Sequence, residues 1–219
     1  MQQQLQEHPI LFSAPMIKAV LDGRKTQTRR VIAPQPTGWN PIQGVENIWY
    51  WCIAGDQDWS EKRLCPYGQT GDRLWVRETW RCEELETGLD GVRYSADHHF
   101  RPIENSLEAA EGWGDAAFDK HGKRHNPRAW RPSIFMPRWA SRLTLEITDV
   151  HVERLEQIST GDIYAEGLTA HFPPRKKDPL PTPRSAFAEL WDSLNASRGY
   201  GWDLNPWVWV VQFKRIDQP

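Results

Sequence analysis

The sequence predicts an α+β fold that is mainly β, organised as a single domain over residues 1–219. Three observations carry that expectation. Alternating apolar residues recur at 73–80 and 143–154, the period of strands with one buried face, and a β-branched and aromatic run at 206–216 suits a closing strand. Short helical patterns at 14–21, 159–168 and 185–194 then serve as flanking helices. Two tracts rich in turn formers and poor in periodicity, 33–70 and 83–131, read as insertions into that domain.

Bulk properties limit what any motif can mean. Lys and Arg number 27 against 29 Asp and Glu, a formal charge of −2, so no global field draws the protein onto a polyanion. Nucleic-acid contact therefore needs a local patch. Cys52, Cys65 and Cys82 are odd in number and lack zinc-knuckle spacing, which suits free thiols in a reducing compartment. The polar start has no signal-peptide character, and no run approaches the ~20 apolar residues of a membrane span. The expectation is a cytoplasmic protein with no membrane contact. Its 13 tryptophans serve either as packing rings or as stacking platforms for bases, and packing is the commoner use.

The elements follow in order. Met16, Ile17, Val20 and Leu21 share one helical face, Pro15 suits a first turn, and Gly23 can close the last turn in a left-handed conformation. The alternation from Thr26 to Ile32 then predicts a strand, leaving Lys25 and Thr28 at a helix-to-strand junction. In the first insertion, residues 48–53 are the clear strand candidate of a hairpin-like decoration. Leu74 and Val76 alternate with Arg73, Trp75 and Arg77 after a Gly71-Asp72 turn, which predicts one strand of a barrel through Trp80. The second insertion offers a strand only at 91–94 and reads as a long loop. Residues 143–154 predict a central strand with one buried face. Ser159 to Asp162 offer helix-capping side chains. Phe187, Leu190, Trp191 and Leu194 share a face of a helix over 185–194, and the β-branched and aromatic run at 206–216 closes the sheet.

Four of these segments together resemble a known family. The helix ending in residues 23–30 (Gly-Arg-Lys-Thr-Gln-Thr-Arg-Arg), the strand at 71–80, the Tyr164-Ala165-Glu166-Gly167 segment and the closing strand resemble ASCH-domain proteins. These are relatives of the PUA-like RNA-binding barrels, and the likeness is to their phage and prophage-encoded branch. The resemblance implies a small β-barrel flanked by short helices, with a cleft lined by the Gly-x-Lys-x-x-Thr segment. Some ASCH relatives resemble N4-acetylcytidine amidohydrolases, whose catalytic set of Lys, Thr and Glu matches Lys25, Thr28 and Glu166 here. Others resemble RNA-binding modules or ribonucleases using the same basic cleft.

Amide hydrolysis needs a nucleophile, a base and an acid for the departing amine. In that scheme a lysine of depressed pKa, Lys25, activates the Thr28 hydroxyl, and Glu166 protonates the leaving N4. Arg24, Arg29 and Arg30 are expected to push the lysine pKa down and to contact substrate or phosphate. Trp75, Arg77 and Glu78 on the matching strand, and Trp130 in the basic stretch 120–131, are the other expected substrate or nucleic-acid contacts. The expected partner is a modified cytidine nucleoside or RNA, with no metal, no cofactor and no obligatory protein partner. His98, His99, His121 and His125, with Asp97, Asp115 and Asp119, show no zinc-motif spacing and read as solvated loop residues. Residues 175–177 form a second, weaker basic patch.

Overall fold

The computed structural model describes residues 5–36, 39–44, 48–52, 61–103, 107–118, 121, 125–126, 129–169 and 181–216. The fold is α+β and mainly β, as expected. Its main sheet has five strands: β1 (Glu7–Leu11), β2 (Gln27–Val31), β6 (Arg73–Arg77), β10 (Thr144–Arg154) and β11 (Trp207–Ile216). Their order is β1-β6-β10-β11-β2, with β1 and β6 parallel and the other pairs antiparallel. Among the described residues this sheet does not close into the expected barrel, because β1 and β2 remain its two edges. The gap is spanned by α1 (Ala14–Leu21) and by Arg30 Nη2, which donates to the Leu11 carbonyl at 2.6 Å.

Local chemistry explains these elements. Pro15 lies in the first turn of α1, Ile17 and Val20 face the core, and Gly23 has φ +72°, the left-handed value a side chain resists. The chain then turns directly into β2. Strand β10 alternates as expected only as far as Ile147. There the register against β11 slips by one residue, since Ile147 faces Phe213 and Asp149 faces Gln212. That bulge moves Val150 back to the buried face, where strict alternation would have put Asp149.

Both insertions contain a three-stranded sheet among their described residues. The first contains β3 (Trp39–Gln43), β4 (Ile48–Cys52) and β5 (Glu61–Leu64), a three-stranded antiparallel sheet. Trp49 and Trp51 of β4 are buried edge-on against Trp207 and Trp209 of β11, so this decoration belongs to the main core. Truncating a buried Trp to Ala costs about 3–5 kcal/mol, which makes Trp51 a structural residue. The second insertion corrects two expectations. The run 73–80 is not one strand: β6 ends at Arg77, and Trp80 begins β7 (Trp80–Glu84) in a separate sheet with β8 (Asp90–Tyr94) and β9 (Phe100–Pro102). With α2 (Leu107–Ala117), that sheet encloses its own apolar cluster of Trp80, Val92, Tyr94, Trp113 and Met136. The expected long loop is therefore a small layered unit.

The third apolar cluster sits beneath α3 (Thr160–Ala165) and α4 (Pro183–Asn195). Ser159 and Asp162 cap α3 reciprocally, as their side chains predict. On α4, Phe187 and Trp191 are buried, whereas Leu190 and Leu194 stay exposed at the wall of a cleft. No described helix is long and apolar enough to cross a membrane.

Candidate functional site

The junction between α1 and β2 passes beside the end of α3. Thr26 N–H donates to the Ala165 carbonyl at 2.8 Å, and Lys25 pairs with Glu166 as an isolated antiparallel bridge. Gly167 makes this approach achievable. Its φ is +97°, and a Cβ there would lie 2.8 Å from the Ala19 Cβ and 3.1 Å from the Lys25 Cβ. Arg24 Nη1 ties the same turn down by donating to the Gly167 carbonyl at 2.6 Å.

Lys25 is 2 % exposed, and all three of its ammonium donors are used. They reach the Gln27 carbonyl at 2.8 Å, the Glu166 carbonyl at 2.9 Å and Glu166 Oε2 at 2.8 Å. Glu166 Oε1 accepts from Arg29 Nη1 at 3.3 Å. Arg29, 5 % exposed, also donates from Nε to Glu153 Oε1 at 2.7 Å and lies 3.5 Å from Asp162 Oδ2. Two cations and three carboxylates thus interlock at the base of the sheet. Burial drives the Lys25 pKa down, the Glu166 charge and hydrogen bond oppose it, and Arg30 and Arg29 add smaller downward pushes. The direction matches the expectation. Of the two expected causes, burial and neighbouring cations, burial is the larger.

Thr28 lines an adjoining cleft of about 1030 Å³, together with Glu166, Arg30, Tyr67 and Arg198. Thr28 is 2 % exposed, and among the described residues its hydroxyl makes no hydrogen bond. The structure therefore brings Thr28 and Glu166 to one cleft and places Lys25 behind Glu166. Lys25 makes no hydrogen bond to the Thr28 hydroxyl: its donors are held by the Glu166 segment and by Gln27.

The remaining expected contacts divide by position. Arg24, Arg29 and Arg30 all line the cleft, but the Arg29 guanidinium is occupied by carboxylates and packs as a structural cation. Trp75, Arg77, Glu78 and Trp130 do not line this cleft. Arg77 donates to the Ile134 carbonyl and lies over the Trp75 ring. Glu78 is buried against Arg142 at 2.8 and 2.9 Å. Trp130 stacks under the Arg81 guanidinium at 4.6 Å. The basic stretch 120–131 is described only in part, and 175–177 lie outside the described residues. Among the described residues no cluster of three or more His, Cys, Asp or Glu is arranged to hold a metal.

Three residues of the site went unread in the sequence. Tyr67 and Arg198 reach the cleft from a loop and from the turn after α4, and no local pattern marks either. Glu153 was readable as a polar residue of a long strand, but its pairing with Arg29 spans 124 positions.

What fold and site define is a class: an α+β protein with a basic cleft built over a buried Lys–Glu pair. No family model matches the chain, and no curated protein matches it. A solved structure similar to it is protein EF3133 from Enterococcus faecalis V583, described under the family designation DUF984. The two are 10 % identical with a TM-score of 0.41, over 98 % of this chain and 83 % of that one.

Proposed function

We propose that this cleft removes an acyl group from N4 of cytidine or a related modified nucleoside. One observation carries the reading: an unengaged hydroxyl, Thr28, and a carboxylate, Glu166, line the same cleft, with a buried ammonium 2.8 Å behind the carboxylate. The geometry redistributes the roles that the family resemblance suggests. Both Glu166 oxygens accept hydrogen bonds from cations, so Glu166 begins as a base and Lys25 acts as the residue that positions it.

The Thr28 Oγ1 attacks the acyl carbon as its proton passes to Glu166. The C–N bond then breaks, and Glu166 returns that proton to the departing N4 amine, leaving an acyl ester on Thr28. Water, deprotonated by Glu166, hydrolyses the ester, and the proton goes back to the Thr28 oxygen. The products are cytidine and a carboxylic acid. Incubation with N4-acetylcytidine, followed by chromatography, should yield cytidine in the wild type and almost none in Thr28→Ala or Glu166→Gln. Absence of cytidine, or a Thr28→Ala rate equal to wild type, overturns the reading.

A second reading has a specific observation in its favour. Every Lys25 donor and both Glu166 oxygens are already engaged, which suits a rigid pocket that reads a modified base or RNA without turnover. Binding of N4-acetylcytidine with its acetyl group retained would select this alternative.

A further inference from the structure

The cleft walls carry a charge imbalance that the hydrolytic scheme does not use. Among the described residues its lining includes one carboxylate, Glu166, against Lys18, Arg24, Arg29, Arg30 and Arg198. Glu166 is engaged by Lys25 and Arg29, Arg29 by Glu153, and Arg24 by Asp22. Arg30 and Arg198 have no such partner among the described residues. Arg30 Nη2 holds the Leu11 carbonyl and its guanidinium lies 5.6 Å from the Phe12 ring centre, while its Nε is buried without a hydrogen-bond partner. The polar contact of Arg198 is Nη1 to Asn195 Oδ1 at 3.4 Å. Tyr67 belongs to the same group, since the positive charges of Arg30 and Arg198 both act on its hydroxyl, and Arg198 acts on Arg30.

Arg30, Arg198 and Tyr67 thus line one cleft, and Arg30 keeps a buried N–H without a partner, which folded proteins rarely leave unanswered. An anion answers it. Planar guanidinium forks and a phenolic hydroxyl, converging from different elements, suit a tetrahedral group with several terminal oxygens. The cleft, at about 1030 Å³, reaches the upper end of the ordinary range for small-molecule pockets of ~300–1,000 Å³, a volume that admits a nucleoside monophosphate.

We propose that Arg30, Arg198 and Tyr67 form a phosphate subsite, so that the cleft takes a nucleoside monophosphate in preference to the free nucleoside. The identity of the base rests on the proposed function, whereas the anion subsite stands without it. Calorimetric titration of the full chain with cytidine 5′-monophosphate, cytidine and inorganic phosphate tests the two separately. The monophosphate should bind at least about tenfold more tightly than cytidine, the scale of one charge-assisted contact. Arg198→Gln, at an exposed position, should abolish that preference, and Arg30→Gln should do the same. Arg138→Gln, which breaks a surface pair with Glu7 and lies outside the cleft lining, should preserve it. Equal affinities for the two cytidine ligands, or a preference that survives Arg198→Gln, overturns the subsite. If neither cytidine compound binds but inorganic phosphate does, and Arg198→Gln abolishes this, the subsite holds and the cytidine reading falls. If phosphate also fails to bind, the subsite falls too. An oligoribonucleotide binding more tightly than the monophosphate overturns the assignment to a monoester.

Discussion

The molecule contains two buried ion clusters that look alike in composition and differ in what they face. At the cleft, Lys25 and Arg29 hold Glu166, which is 9 % exposed and looks onto open volume. Beside the β7-β8-β9 sheet, Arg142 holds Glu78 and Asp97, and the Arg142 guanidinium lies 4.1 Å from the Tyr94 ring centre. Glu78 is 2 % exposed and lines no part of the cleft. Burial raises the Glu78 pKa against the pull of Arg142. Burial also works against the Arg142 cation, but hydrogen bonds to Glu78 and Asp97 outweigh it and strengthen protonation. With paired contacts of 2.8 and 2.9 Å, the ionised form of that pair is the one the geometry supports at neutral pH. A buried, perturbed carboxylate is thus no mark of a site by itself. Access to a cleft beside an unengaged hydroxyl is what separates Glu166 from Glu78.

The sharpest way to break this comparison is to remove a cation from each cluster. Lys25→Ala leaves Glu166 with Arg29 alone and should lower stability by about 3–5 kcal/mol in urea unfolding. Lys25→Met with Glu166→Leu should recover most of that loss while leaving no hydrolysis, because burial is satisfied and the carboxylate is gone. Arg142→Met should cost about 3 kcal/mol, since Asp97 is partly solvated, with no effect on ligand affinity at the cleft by calorimetry. An equal loss of affinity in Arg142→Met would remove the distinction between the clusters. Gly167→Ala should cost about 1–3 kcal/mol through its left-handed backbone and the Ala19 contact, and should weaken ligand binding as Glu166 shifts.

The smallest effect concerns a third acidic group, Glu83. The Arg93 hydrogen bond, with help from Arg81, holds its carboxyl below the usual range, outweighing partial burial. A depressed folded pKa means that the unfolded chain binds the proton first on acidification. The contribution is therefore present above the unfolded value near ~4.3 and is lost as pH falls through the lower folded value. Thermal midpoints of wild type and Glu83→Gln should differ at pH 6 and converge as pH falls through the lowered folded value. A difference that instead grows on acidification would reverse the sign and refute the assignment.

Elements defined by local chemistry were legible in the sequence. Helix α1 follows from Met16, Ile17, Val20 and Leu21 with Pro15 and Gly23 at its ends, and the α3 cap follows from Ser159 and Asp162. The break after Arg77 was not legible, because alternation continues to Trp80 while the chain changes sheets. Of the β7-β8-β9 layer only β8 was legible, from the strand pattern at 91–94, and the rest was hidden for another reason. Its strands are short, and its core depends on Trp113 and Met136, which come from distant segments. Within the site, the Lys25 to Thr28 segment could be singled out from its residues. The Lys25–Glu166 bond could not, since it joins positions 141 apart and rests on Gly167 permitting a close approach that no periodicity records.

The register of β2 against β11 has a consequence in time. Thr28 is set opposite Val211, and the Thr26 carbonyl accepts from Phe213 N–H at 2.8 Å, so the strand bearing Thr28 is held by residues roughly 180 positions downstream. Contacts of such long sequence separation form slowly and late, after the loop between them has been closed. On a ribosome, the helix α1 and the turn at Gly23 can emerge and settle while Thr28 still lacks its sheet neighbour. The cleft is therefore complete only once β11 lies between β10 and β2, and a nascent chain lacking β11 carries the motif without the site.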